Sequence, residues 1–224
     1  MKIINPCVEV PEIDGVALLR NIEEAGRTCY KSEGLIASGS YYPFIKKIME
    51  LGHHSMFEHE KVTVRIICDR GVTHEIVRHR LAAYSQESTR YCNYAGDKFG
   101  NEITVIKPFF FSCSDEKDIN YELWEEACKH AEYYYFNMLA GGASPQEARS
   151  ILPNSLKTEI VVTYNLREWR HFFSLRAAKA AHPQMQQVAI PLLLWFKEKL
   201  APLYDDIDYN RDFNPEDYAE IIIS

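Results

Sequence analysis

Apolar and polar positions along the chain switch between two periods, and each switch predicts an element. Between residues 60 and 69, Val62, Val64, Ile66 and Cys68 alternate with Lys61, Thr63, Arg65 and Ile67. A period of two predicts a half-buried, antiparallel strand. Residues 1–10 predict a first strand ended by Pro11, residues 103–106 a short one ended by Pro108, and residues 158–164 a β-branched one. Helical spacing puts Val16, Leu19, Ile22 and Ala25 or Gly26 on one stripe to about residue 30, capped by Asp14. Phe44, Ile45, Ile48, Met49 and Leu51 form the inner face of a second helix, stopped by Gly52. Arg70-Gly71 turns into a short helix over residues 72–79.

After a loop holding Gly96 and Gly100, Ser114 or Asp115 can cap a long helix to about residue 139, with Tyr121, Trp124, Tyr134 and Tyr135 along one side. Ser144-Pro145-Gln146-Glu147 is a helix start, with Arg149 inside that short helix. Residues 165–180 and 188–203 read as the last two helices, and the acidic tail after Tyr204 is expected to pack loosely or exchange with a neighbour. The economical fold is a single α+β domain over residues 1–224, with a mainly antiparallel twisted sheet flanked by helices.

Composition narrows the function. A chain of 224 residues, 46% hydrophobic and 25% charged, can bury a core without staples. Its net charge of -7 argues against general binding to nucleic acid or an anionic membrane, so any anionic ligand needs a local basic pocket. Cys7, Cys29, Cys68, Cys92, Cys113 and Cys128 form no Cys-x-x-Cys pair, and no leader-like run precedes them, which predicts free thiols in a reducing cytoplasm. No stretch approaches the ~20 apolar residues that span a bilayer.

Against that acidic background, residues 78–91 stand out: Arg78, His79, Arg80, then Ser85, Gln86, Glu87, Ser88, Thr89, Arg90 and Tyr91. Guanidinium forks, hydroxyls and backbone N–H groups together suit phosphates and carboxylates. Arginine clusters also make plain surface ion pairs, and spacing alone leaves both readings open. Further basic groups recur at Arg149, Arg167, His171 and Arg176. Arg167 and His171 share a helical face, while Arg176 lies about 180° round from Arg167. No Gly-x-Gly-x-x-Gly or Walker loop is present.

Two metal readings are weak. His74 and His79 are five apart and diverge by about 140° on a helix, unlike the four-residue spacing of zinc-protease helices. That helix instead puts Glu75 beside Arg78 and His79. His53, His54 and His59 lack a supporting carboxylate or cysteine pattern. No metal site is expected.

Arg78-His79-Arg80, seven residues, then Ser88 and Arg90 resembles the signature of the flavin-dependent thymidylate synthases. The resemblance extends to the turn at His53–Ser55, Arg149 before a proline, and Asn165-x-Arg167 with Arg176. It implies an enzyme that methylates dUMP to dTMP, with 5,10-methylenetetrahydrofolate as one-carbon donor, NADPH as reductant and bound FAD. It also implies a cytoplasmic homotetramer with shared active sites. Carried over by position, Ser55, Arg78, His79, Arg80, Gln86, Asn165, Arg167 and His171 would hold FAD. Glu75, Arg78, Gln86, Glu87, Ser88, Thr89, Arg90, Arg149 and Arg176 would hold dUMP, with Arg176 the catalytic group that favours ionisation at N3 of the pyrimidine. His53 and Tyr91 fall to the folate side. Ala83, Gln86 and His171 depart from residues common in the family. The alternatives are a nucleotide-binding module without turnover and a metallohydrolase built on the histidines.

Overall fold

Pro6 breaks the N-terminal apolar run, because it has no N–H to give to a ladder. Two strands replace the one expected, β1 (Lys2–Ile4) and β2 (Cys7–Val10), and they enter different sheets. The computed structural model describes residues 1–96, 99–111 and 118–224. The remaining elements are α1 (Gly15–Tyr30), α2 (Tyr41–Glu50), β3 (Lys61–Asp69), α3 (Arg70–Ile76), β4 (Ala82–Gln86), β5 (Thr104–Ile106), α4 (Ile119–Ala140), α5 (Pro145–Ala148), β6 (Lys157–Asn165), α6 (Leu166–Arg176), α7 (Pro183–Lys199) and β7 (Glu220–Ile223).

β1 pairs in parallel with β5, and five strands form a second sheet in the order β4-β6-β3-β2-β7. β3 and β6 are antiparallel, as the alternation predicts. The Arg70 N–H donates to the Leu156 carbonyl, the Thr63 and Thr163 hydroxyls meet, and the Leu166 N–H donates to the Glu60 carbonyl. Residue numbers fall along one strand as they rise along the other.

Contacts group the chain into two units. The first comprises Met1–Cys7, Ile66–Arg78 and Ser85–Ile160. Its core is Tyr94, Ile103, Val105, Cys128, Tyr135, Ala148 and Leu156. The second comprises Val8–Arg65, His79–Tyr84 and Val161–Ser224. There α6 and α7 bury Trp169, Phe172, Phe173 and Phe196 in one aromatic cluster. Among the described residues, no helix is long and apolar enough to cross a membrane.

Caps were well marked in the chain. The Asp14 carboxylate accepts from the Ala17 N–H at the start of α1, and Ser144 with Glu147 closes a reciprocal box at α5. Several expectations need correction. Val16 and Leu51 are exposed, not on inner faces. Tyr134 is exposed while Tyr135 is buried, since adjacent residues on a helix cannot share one side. The Asp118 carboxylate caps α4; the Ser114 and Asp115 expected there lie outside the described residues. Arg149 is the C-cap of α5, not an interior residue. α6 stops at Arg176, and α7 begins five residues early, at Pro183, because proline suits a first helical turn. The tail is not loose: Ile207, Phe213 and Ala219 are buried, and β7 edges the large sheet.

Two corrections bear on the site. α3 ends at Ile76, so Arg78 and His79 lie beyond it and form no shared helical face with Glu75. Residues 82–86, to which the pattern assigns no element, are the strand β4.

Candidate active site

The first unit carries most of the residues expected at the nucleotide. Glu87 is anchored at every polar atom. Its N–H donates to the Glu159 carbonyl (2.8 Å) and its carbonyl accepts from Arg70 Nη1 (3.4 Å). Its carboxylate accepts from the Tyr94 hydroxyl (3.0 Å) and Lys157 Nζ (2.9 Å). Burial opposes a charge on Lys157, yet Glu159 and Glu87 together hold its ammonium above the ordinary range. Glu87 therefore fastens the loop that follows it to β6. In that loop the Ser88 hydroxyl accepts from the Arg90 N–H (3.3 Å), and the buried Thr89 hydroxyl accepts from Arg149 Nη1 (3.4 Å). Arg90 Nε donates to Gln146 Oε1 (3.2 Å), and its guanidinium lies 5.3 Å from the centre of the exposed Tyr91 ring. The structure thus brings Arg149 to a loop 60 residues away, a pairing that spacing could not reveal. The Gln86 amide donates to the Thr73 and Thr158 hydroxyls. Glu75 is half-buried on α3, and Arg78 is exposed just past it.

The second unit holds the other set. Asn165 caps α6, its side-chain oxygen accepting from the Glu168 N–H (2.8 Å). Ser55 is exposed in a 3-10 turn, His54–His59, and His53 is exposed just before it. Arg167 is exposed and paired with Glu58, and Arg80 is exposed. A cleft of about 1060 Å³ opens here, large enough for a dinucleotide-sized ligand. Arg167, His171, His54 and Leu81 line one part of it, and the segment 206–212 another. That tail wall was missed because its acidic composition resembles a solvated end; Asp206 instead grips the guanidinium of Arg170 through both oxygens. Charges of both signs line the cleft, Arg167, Arg170, Lys179 and Arg211 against Glu168, Asp206, Asp208 and Asp212, so a cofactor such as a flavin would meet its cationic and hydrogen-bonding groups on the side of Arg167 and His171.

His79 is buried, with only 4% of its surface exposed. Its Nδ1 lies 3.0 Å from Glu168 Oε1, and its Nε2 accepts from Arg176 Nε at 3.2 Å. A guanidinium N–H can only donate, so the ring proton sits on Nδ1 and the contact with Glu168 is a hydrogen bond from a neutral imidazole. Burial first, then the Arg176 cation and His171, push His79 down to about 4. Burial raises Glu168. The ligand atoms of His79, Glu168 and His171 lie within 4.8 Å of one another. Both nitrogens of His79 are committed, and a guanidinium occupies one of them, so the trio is a poor donor set for a cation.

The depressed His79 gives a pH prediction. The unfolded chain takes up a proton at this ring near its ordinary 6.5, the folded protein only near 4. The share of stability that this ring contributes should therefore be complete above about 6.5 and be lost as pH drops toward about 4. Glu168, raised by burial, titrates in the opposite sense. Urea midpoints measured across this window should slope more steeply in the wild type than in His79→Asn; equal slopes would refute the assignment.

A family model described as Thymidylate synthase complementing protein matches residues 17–202, through both units. The flavin-dependent thymidylate synthase of Geobacter sulfurreducens is 34% identical over 189 residues, covering 81% of this chain and 78% of that protein. The protein of the same name from Pyrococcus abyssi is 37% identical over 163 residues, covering 71% of this chain and 64% of that relative. Among solved structures, the UMP/dUMP methylase PolB from Streptomyces cacaoi, bound with 5-Br dUMP, shares the fold. Its TM-score is 0.72 at 23% identity, over 92% of this chain and 96% of that one. By the extent of the family match and the identity to curated relatives, the chain belongs to the flavin-dependent thymidylate synthase family.

Proposed function

We propose that this protein reductively methylates dUMP to dTMP, with 5,10-methylenetetrahydrofolate giving the one-carbon unit, NADPH giving the hydride, and tetrahydrofolate and NADP⁺ released. Family membership carries this reading. FAD, when bound, relays the hydride from the nicotinamide. Ser55, Arg78, Arg80, Gln86, Asn165, Arg167 and His171 are proposed to hold it, and the cleft beside Arg167 and His171 supports that assignment. His79, buried with both ring nitrogens committed, is proposed to serve the flavin site through its neighbours and not by a ring bond of its own.

Glu75, Arg78, Gln86, Glu87, Ser88, Thr89, Arg90, Arg149 and Arg176 are proposed for dUMP. The hydroxyls, backbone N–H groups and guanidinium of residues 88–90, in the loop that follows β4, suit its phosphate. Glu87 contributes by fastening that loop, since its carboxylate is already shared by Lys157 and Tyr94. Arg176 stabilises negative charge as the pyrimidine loses its N3 proton, which makes the ring more nucleophilic. Ser88 binds and orients: an unactivated hydroxyl is a weak nucleophile at neutral pH. His53 and Tyr91, both exposed, are proposed to face the folate. The two units are proposed to act as one domain, in a cytoplasmic homotetramer whose active sites are shared.

The test is the absorption spectrum of the purified protein with added FAD, followed by an assay for dTMP from dUMP, methylenetetrahydrofolate and NADPH. Bound flavin bands and dTMP formation are expected. A colourless protein that retains no flavin and makes no dTMP would falsify the reading.

A further inference from the structure

We propose that Glu168, acting through His79, is a positioning residue that sets the orientation of the Arg176 guanidinium. The proposal rests on the reading of Arg176 as the group facing the pyrimidine.

Helix geometry makes the arrangement possible. Glu168, Phe172 and Arg176 follow one another at four-residue intervals on α6, each about 40° round from the last, so they form one slanting row about 12 Å long. The His79 ring lies against Phe172, the middle member, at 5.1 Å between centroids. From there one nitrogen reaches Glu168 and the other Arg176, in the first and last turns of the same helix. The backbone of His79 is held as well: the Tyr84 hydroxyl donates to its carbonyl and meets the Tyr164 hydroxyl. Asn165-x-x-Glu168 has the spacing of a capping box, in which the carboxylate would turn back to the helix start. Here the carboxylate is spent on His79 instead.

Glu168 matters because an imidazole has two neutral tautomers. With an acceptor at Nδ1, the proton stays there and Nε2 offers a lone pair to the Arg176 Nε–H. Without that acceptor the proton can move to Nε2. A donor then faces a donor, and the guanidinium loses its bond from Nε to the ring. The carboxylate touches neither substrate nor cofactor in this scheme; it selects the tautomer.

The test uses the flavin-loaded enzyme. Glu168→Ala should lower kcat for dTMP formation by about ten- to a hundredfold, the scale expected when a reacting group is misplaced, with a much smaller rise in KM for dUMP, since Arg176 is one of nine groups proposed to hold the nucleotide. Glu168→Gln keeps an acceptor for Nδ1–H and should restore most of the rate. Nitrogen-15 spectra of the His79 ring should show the proton on Nδ1 in the wild type and in Glu168→Gln, and mixed tautomers in Glu168→Ala. A wild-type ring protonated at Nε2 would overturn the proposal even if Glu168→Ala fails to fold. So would a Glu168→Gln enzyme as slow as Glu168→Ala while keeping the Nδ1 proton. If Arg176→Ala is inactive but Glu168→Ala turns over normally, the positioning role fails alone. If Arg176→Ala is fully active, the underlying reading of Arg176 fails first.

Discussion

Arg176→Ala should cut dTMP turnover by about a hundred- to a thousandfold, the size seen when one preorganised charge-stabilising group is removed. The fold should survive. Arg176 is the last residue of α6 and only partly buried. A cation there gains about 0.3–1 kcal/mol from the helix dipole, a small fraction of a domain's stability. The substitution also removes the cation that helps hold His79 low, so the ring should titrate at higher pH in the variant. Arg176→Lys should recover little. An ammonium is a point charge without the Nε–H that meets His79, and it cannot reproduce the planar fork. The decisive comparison is kcat against the thermal midpoint. An unchanged kcat, or a loss of activity that only tracks unfolding, removes Arg176 from the chemistry.

Trp169→Ala should destabilise the protein by about 3–5 kcal/mol, the usual cost of truncating a fully buried aromatic. The indole is completely buried among Tyr164, Phe172, Phe173 and Phe196. Its N–H donates to the Val62 carbonyl at 3.0 Å, tying α6 to β3. Truncation opens a cavity and also strips that carbonyl of its indole donor. Trp169→Phe keeps most of the volume and loses only the bond, so its cost should be far smaller. Urea unfolding of the three proteins measures the difference. A cost under about 1 kcal/mol for the alanine variant would mean that the cluster closes over the gap.

Local chemistry explains which parts of this molecule could be read from the chain. Asp14, Ser144 and Glu147 act within one helical turn, so their caps are visible as short patterns. β3 and β6 show because burying one face forces a period of two. β4 did not show, since Ala82, Ala83, Tyr84, Ser85 and Gln86 include no β-branched residue and no apolar alternation. The identities of many candidate site residues were legible through the signature, but their partners were not. Arg149 with Thr89, Lys157 with Glu87, and Glu168 with His79 are separated by 60, 70 and 89 residues. No periodicity encodes such pairs; only the folded backbone brings them together. His79 shows the consequence most clearly. It read as one more basic residue in an arginine-rich window, and it is a buried neutral ring.

The strand β4 gives the signature a meaning that its letters lack. Ala82, Tyr84 and Gln86 turn one way and are partly buried, while Ala83 and Ser85 turn the other way and are exposed. Tyr84 reaches the His79 carbonyl and Gln86 reaches Thr73 and Thr158 by virtue of that alternation. Deleting or inserting one residue between Arg80 and Tyr84 would shift both side chains by one pleat relative to Arg78–Arg80. The interval between the two ends of the motif is therefore a counted number of pleats. Its exposed members, Ala83 and Ser85, should tolerate exchange, while its length should not.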